Sequence, residues 1–300
     1  MKLKITHTTT YEYHEVVPVC QNECHLSPRN CSYQACQYHR LLVRPTPSSS
    51  SKRMDYFGNP VTYFAIQEGH RRLSVTSICK VELSPRPQPE LSTTPAWESI
   101  RDALPGDRSA PGLSNYQYSF ESPHVSRSDE LAEYAAVSFT SGRPIGEALS
   151  DLTARMHRDF QYDPAATTVS TPMLDAFRGR KGVCQDLAHV QIGCLRSLGL
   201  AARYISGYLR THPPADKPRL VGADASHAWV ALYCGSAGWL EADPTNNLLP
   251  MWDHVTLAWG RDYSDVCPIN GMFVGGGQHT MSVSVNVDTI GAERQASGKE

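Results

Sequence analysis

No sign of charge prevails in this chain: 28 Lys and Arg stand against 30 Asp and Glu in 300 residues, a formal net charge of -2. Without a run of Lys or Arg there is no electrostatic footprint for nucleic acid. No apolar stretch is long enough to span a bilayer, so a membrane is not an expected partner. The opening Met1-Lys2-Leu3-Lys4-Ile5-Thr6-His7 alternates like a strand and lacks the apolar run of a signal peptide. Nine cysteines is an odd number, which argues against a complete disulfide framework and for a cytoplasmic, reducing location. No internal repeat is evident. What is left is an ordinary soluble composition, 40% hydrophobic, in a chain longer than one average domain.

Chemistry concentrates in two places. The first is Gly182-Val183-Cys184-Gln185-Asp186-Leu187-Ala188-His189. Val183, Leu187, Val190, Cys194 and Leu198 recur at helical spacing, with Ala188, Ile192 and Leu195 widening the stripe, so a largely buried helix is predicted. Gly182 is the expected cap, and Gly199 the left-handed stop. Cys184 then lies in the first turn, where unpaired N–H groups and the macrodipole favour a thiolate by about 0.3–1 kcal/mol. A thiol needs more than that to become a nucleophile, and an imidazole is the usual partner.

The second place supplies one. Trp229 to Tyr233 and Trp239 to Asp243 flank Cys234-Gly235-Ser236-Ala237-Gly238 and read as a hairpin turning near Gly235. Symmetry about Gly235 sets His227 opposite Asp243 and Trp229 opposite Glu241, with directly opposed Cβ atoms about 5 Å apart. Ala228, Val230, Leu232, Leu240 and Ala242 then form an apolar face, while His227, Trp229, Glu241 and Asp243 share the other. The three groups suggest a division of labour: Cys184 attacks an acyl carbon, His227 carries the proton, and Asp243 orients the ring. The Cys184 N–H is one oxyanion donor, and Tyr162, Gln185 and Trp229 are candidates for the second.

With these residues in view, GVCQDLAHVQIGCLRSLGLAARYISGYL, DASHAWVALY and GWLEADPTNN together resemble the transglutaminase-like superfamily, whose members carry a papain-like Cys-His-Asp triad. The opening LKITHTTTYEY, the Phe160-Gln161-Tyr162 element and the tail GRDYSDVCPINGMFVGGG extend the resemblance to a bacterial subgroup with an amino-terminal all-β region. The resemblance implies a nucleophile at Cys184, a base at His227 and a third member at Asp243. It implies no cofactor, and a peptide or protein as substrate. Hydrolysis of peptide or isopeptide amides is the expected outcome. The alternatives are amine transfer to protein glutamine and an idle triad in a peptide-binding module. A chemically allowed further reading makes Cys184, His227 and Asp243 ligands of a catalytic zinc.

The expected fold class is α+β. Strands are predicted at 3–13, 39–44, 54–57, 61–66 and 72–83, making residues 1–90 an all-β domain, with Ser48 to Ser51 as a polar loop. Ser84-Pro85-Arg86-Pro87-Gln88-Pro89 cannot enter a sheet interior, so a linker is placed there, and 91–127 is read as linker and connecting segment. Residues 128–300 form the catalytic core: helices at 128–139 and 144–160, the Cys184 helix, strands at 201–209, 228–233 and 238–243, and a carboxy-terminal strand at 280–288. Cys20, Cys24, Cys31 and Cys36, with His25 and His39, crowd soft ligands into one segment. Their spacing differs from that of zinc fingers and ribbons, so free thiols are expected and no metal is assigned.

Overall fold

The structure is a computed structural model, and it describes residues 1–211 and 225–290. The amino-terminal third is all β: β1 (Lys2–Val17), β2 (Val19–Cys24), β3 (Gln34–Arg44), β4 (Ser49–Met54), β5 (Pro60–Ile66) and β6 (His70–Leu83). Alternation in β1 and β6 buries Leu3, Ile5, Leu73, Val75, Cys79 and Val81, as the period of two requires when one sheet face is covered.

The polar run expected to be a loop is instead β4, an edge strand with all six residues exposed. Its Ser-rich sequence carries no alternation because neither face is covered. The strand expected at 54–57 stops at Met54. Asp55 then makes a turn by accepting the Asn59 N–H at 2.7 Å.

After the Pro-rich segment come two short helices, α1 (Trp97–Ala103) and α2 (Ala110–Tyr116), and then α3 (Asp129–Ala136) and α4 (Ile145–Asp159). The α3 start is capped by the Ser128 hydroxyl, which accepts the Leu131 N–H. A two-residue strand β7 (Gln161–Tyr162), helix α5 (Met173–Gly179) and strand β8 (Lys181–Gly182) lead into α6 (Cys184–Ser197). Strands β9 (Ala202–Leu209), β10 (Ala225–Tyr233), β11 (Trp239–Ala242) and β12 (His254–Gly260) follow, then β13 (Ile269–Val274) and β14 (His279–Thr289). Among the described residues no helix is long and apolar enough to cross a membrane.

Three antiparallel four-stranded sheets result, in the orders β14-β1-β6-β3, β13-β2-β5-β4 and β11-β10-β9-β12. The carboxy-terminal strands thus return to the amino-terminal region: β14 pairs with β1, and β13 with β2. Helix α6 lies in the core between α3 to α5 and the third sheet, with Leu187, Val190, Ile192 and Leu195 against Ala228, Val230 and Leu232. The first two sheets share a second core, which also takes in Tyr208, Val255 and Leu257 from β9 and β12. That shared packing seats the β region against the sheet that carries His227.

Candidate active site

Helix α6 begins at Cys184, and the residue before it, Val183, occupies the capping position. Its N–H is satisfied by Asp186 Oδ2 at 2.8 Å, and the same oxygen takes the Thr167 hydroxyl at 2.6 Å. The expected cap, Gly182, serves another end. A Cβ there would lie 2.6 Å from the Asp186 carboxylate, so only glycine lets that side chain fold back over the helix start. Gly199 ends the helix at φ 81°, in the left-handed region.

The hairpin forms with a register two residues from the expected one. Val230 is opposite Ala242 and Leu232 opposite Leu240. The turn is longer than a reversal centred on Gly235: Cys234 N–H donates to Gly238 O at 2.7 Å, and Gly235 and Gly238 both have positive φ. A shift of two preserves parity, so Ala228, Val230, Leu232, Leu240 and Ala242 all still face the core. His227 and Asp243 are therefore not cross-strand partners. Asp243 lies just past the end of β11, where it exchanges backbone hydrogen bonds with Leu248, and its side chain reaches His227 from there.

The contact is close. His227 Nε2 lies 2.7 Å from Asp243 Oδ2, and Cys184 lines the same cleft as the imidazole, near enough to help raise its pKa. With Nε2 engaged by the carboxylate, Nδ1 is the nitrogen left to exchange a proton with the thiol. Asp243 is fully buried and collects donors. Oδ2 takes His254 Nε2 at 2.9 Å and Asn246 Nδ2 at 2.7 Å, while Oδ1 takes the backbone N–H of Thr245 at 3.0 Å and of Asn246 at 3.2 Å.

Burial opposes protonation of His227, but the hydrogen bonds and charges of Asp243 and Cys184 outweigh it and push the imidazole up to about 10. Burial likewise opposes the Asp243 carboxylate, and hydrogen bonds from His227 and His254 reverse the effect, holding its pKa well below the usual range. His254 is shifted down, mainly by burial. One ionised carboxylate thus supports one imidazolium and one neutral imidazole.

His254 and Asn246 complete this environment and escaped the sequence reading. Asn246 follows the aspartate closely enough to be suspected of an Asx turn. His254 carried no local signal, because it arrives on β12. A further layer lies behind the ring: Trp229 stacks near His227, with centroids 6.0 Å apart and planes 23° apart. Its indole N–H donates to Glu241 Oε2 at 2.6 Å. Glu241 also takes the Tyr33 hydroxyl and an Arg86 N–H, and Arg86 donates to His254 O at 2.6 Å. Glu241 is buried and ion-paired with Arg86.

The candidate oxyanion donors separate. Trp229 is fully buried and its N–H is committed to Glu241, so it does not serve the oxyanion. Gln185 lines the cleft beside Cys184. Tyr162 is more than half exposed on β7, near enough for Cys184 to help raise its pKa, after burial. The Cys184 N–H, at the first helical position, has no intrahelical acceptor.

The cleft above these groups has a volume of about 430 Å³. One wall is the β11-β10-β9-β12 sheet and the α6 start. The other is the β region, through His7, Thr9 and Tyr11 of β1 and Met281, Val283 and Val285 of β14.

The amino-terminal thiols do not gather into a site. Cys20 and Cys24 are buried in the β core, Cys36 is half-buried against it, and Cys31 is half-buried outside it. Among the described residues, the group with three ligand atoms within 4.8 Å is His227, Asp243 and His254. Cys184 is not a member, unlike the zinc trio considered from the sequence.

Residues 3–82 match the model of the bacterial transglutaminase-like N-terminal region, and residues 133–244 that of the transglutaminase-like superfamily. An uncharacterized protein of Mycobacterium tuberculosis is 39% identical over 98% of this chain and 94% of its own length. A protein-glutamine gamma-glutamyltransferase of Pseudomonas aeruginosa is 31% identical over 36% of this chain and 19% of its own length. A crystal structure from Cytophaga hutchinsonii, provisionally described as a cysteine protease, superposes with a TM-score of 0.74 at 22% identity, covering 97% of this chain and 91% of that one. This last match is a likeness of fold.

Proposed function

Because the chain belongs to the transglutaminase-like superfamily, we propose that it is a thiol-dependent acyl-transfer enzyme acting on peptide or isopeptide amides, with water as the acceptor. The observation that carries this reading is a buried imidazole hydrogen-bonded to a buried carboxylate and sharing one cleft with the Cys184 thiol. The Cys184 Sγ attacks the amide carbon, and the oxyanion is held by the Cys184 N–H with Gln185 beside it. His227, protonated at Nδ1, passes that proton to the leaving nitrogen, and the C–N bond breaks to leave a thioester. Water then adds to the thioester carbon while His227 takes its proton. Collapse releases a carboxylic acid and restores the thiolate–imidazolium pair. Asp243 stays ionised throughout and keeps the ring in place.

The wall formed by Tyr11, Ile269, Met281 and Val283 fits an acyl group with an apolar side chain. Exposed Met281 and Val283 supply that surface. Amine transfer is the second reading, favoured by the similarity to the Pseudomonas aeruginosa enzyme. It proceeds through the same thioester.

The test is to incubate the enzyme with a peptide and isopeptide amide library, trap the acyl-enzyme by mass spectrometry, and measure partition of the thioester between water and added primary amine. Acylation at Cys184 with mostly free acid as product is expected. Predominant amine adducts would shift the reading to transfer, and no adduct on Cys184 with any amide would end both.

A further inference from the structure

On the face of the catalytic sheet turned away from α6 lies a second cavity, of about 280 Å³, bounded by Ser32, Tyr33, Arg86, Arg203, Trp239 and Trp259. Arg203 projects from β9, directly opposite Ala231 of β10. Its guanidinium carbon sits 4.2 Å from the Trp239 ring centroid and 3.9 Å from that of Trp259. The residue is only 8% exposed. Among the described residues no carboxylate pairs with it, and its Nε has no hydrogen-bond partner.

This is unusual chemistry for a protein interior. A guanidinium has five N–H donors, and a buried one is normally paired with an anion. Aromatic faces stabilise the cation but accept few of its hydrogen bonds. Burial draws its pKa down to about 10, so it is charged at neutral pH. With both faces covered by rings, the N–H edge points out of the stack. The neighbouring cation differs: Arg86 is neutralised by Glu241 in the same cavity. Arg29, on the other face of Trp259 at 3.5 Å, donates from Nη1 to Phe57 O and Asn59 Oδ1, although its Nε too lacks a partner.

We propose that this cavity is a binding site for a small monoanionic carboxylate, gripped by the Arg203 edge between Trp239 and Trp259. A guanidinium fork matches a carboxylate in two parallel hydrogen bonds. One uncompensated positive charge favours a monoanion, since a dianion would also face Glu241. The cavity exceeds a bare ion in size, and Pro87 and Pro250 in its lining suit a short apolar or amide stem on the carboxylate. Ser32 and Gln88 offer polar contacts beside it.

The full chain is titrated with N-acetylglycine, acetate and phosphate at constant ionic strength in sodium chloride, following tryptophan fluorescence and heat. Saturable binding is expected, tightest for N-acetylglycine and weakest for phosphate. Arg203→Gln should weaken N-acetylglycine binding about tenfold or more, the scale of a lost charge-assisted hydrogen-bond pair. The exposed-rim variant Gln88→Glu, which brings an internal carboxylate to the cavity, should do the same and decides the matter if Arg203→Gln does not fold. A linear response common to all salts, phosphate binding more tightly than the carboxylates, or native affinity in Gln88→Glu would overturn the proposal.

Discussion

His7 of the amino-terminal β region and His227 of β10 face the same cleft and are almost equally sealed from water, at 2% and 7% exposure. Their imidazoles are nevertheless held in opposite states. His7 has only hydroxyl partners, Tyr208 at 3.0 Å and Thr9 at 2.8 Å, and burial pulls it down to about 4. His227 meets the same burial but has Asp243 and Cys184 as partners, and rises to about 10. Burial by itself makes a neutral, structural histidine. A carboxylate behind the ring holds the same residue type protonated. The thiols differ in setting: Cys24 is buried in the β core and pushed up to about 12 by burial first, whereas Cys184 is half-buried at the start of α6.

The largest effects should come from breaking the catalytic side of this comparison. Cys184→Ala and His227→Ala are each expected to lower kcat by roughly 10⁶-fold, and Asp243→Asn by roughly 10⁴-fold, in line with triads that act as units. Rates are read on the amide found in the trapping experiment, with circular dichroism confirming the fold. Residual rates equal to the parent in all three would contradict the mechanism, and activity lost to chelators but not to alkylation would point instead to a metal at His227, Asp243 and His254. Next, iodoacetamide at pH 6 should label Cys184 about tenfold or more faster than Cys31 or Cys36, by peptide mapping, because only Cys184 has the imidazolium beside it. In Asp243→Asn that advantage should vanish, leaving His227 more like His7.

Stability against pH sharpens the contrast further. His227 is raised above its unfolded value of about 6.5, so its contribution is complete below that pH and is lost as pH rises through about 10. His7 is lowered, so the unfolded state binds the extra proton between pH 6.5 and 4, and stability falls as pH drops through that window. Denaturant melts should show Asp243→Asn flattening the alkaline limb and His7→Gln the acid limb. The reverse assignment would refute the comparison.

The smallest effect expected is from Gly207→Ala. Gly207 is opposite His227 in the sheet, and a Cβ there would come 2.0 Å from Val255 O and 2.6 Å from the Trp229 ring. A loss of about 1–3 kcal/mol follows, as for other overpacked sites. A variant as stable and active as the parent would mean that Trp229 does not need that space.

Much of the site was readable because it is built from local patterns. The apolar stripe after Cys184 identifies a helix, its first turn is where the thiol must be, and alternation on either side of the Gly-rich turn identifies a hairpin. The turn misled the register, since strand alternation reports the face of a residue and not its partner. Shifting by two leaves every face unchanged. Ser49–Met54 was missed for a related reason: an uncovered edge strand has no hydrophobic pattern to read. Trp229 and Glu241 were assigned to the right face without their surroundings, because Tyr33 and Arg86, which bind Glu241, come from more than 150 residues before it in the chain.

The amino-acid order alone determined the α+β class, the all-β start, the helix that presents Cys184 and the side-chain parity that groups His227 with Asp243. These follow from periodicity and end-capping, which act within a few residues. Only the tertiary structure decided that β14 closes on β1 to wall the cleft, that His254 shares the Asp243 carboxylate, and that Arg203 lies between two tryptophans without an anion. Such arrangements depend on segments far apart in the chain, brought together by burying two apolar cores, and local pattern holds no record of them.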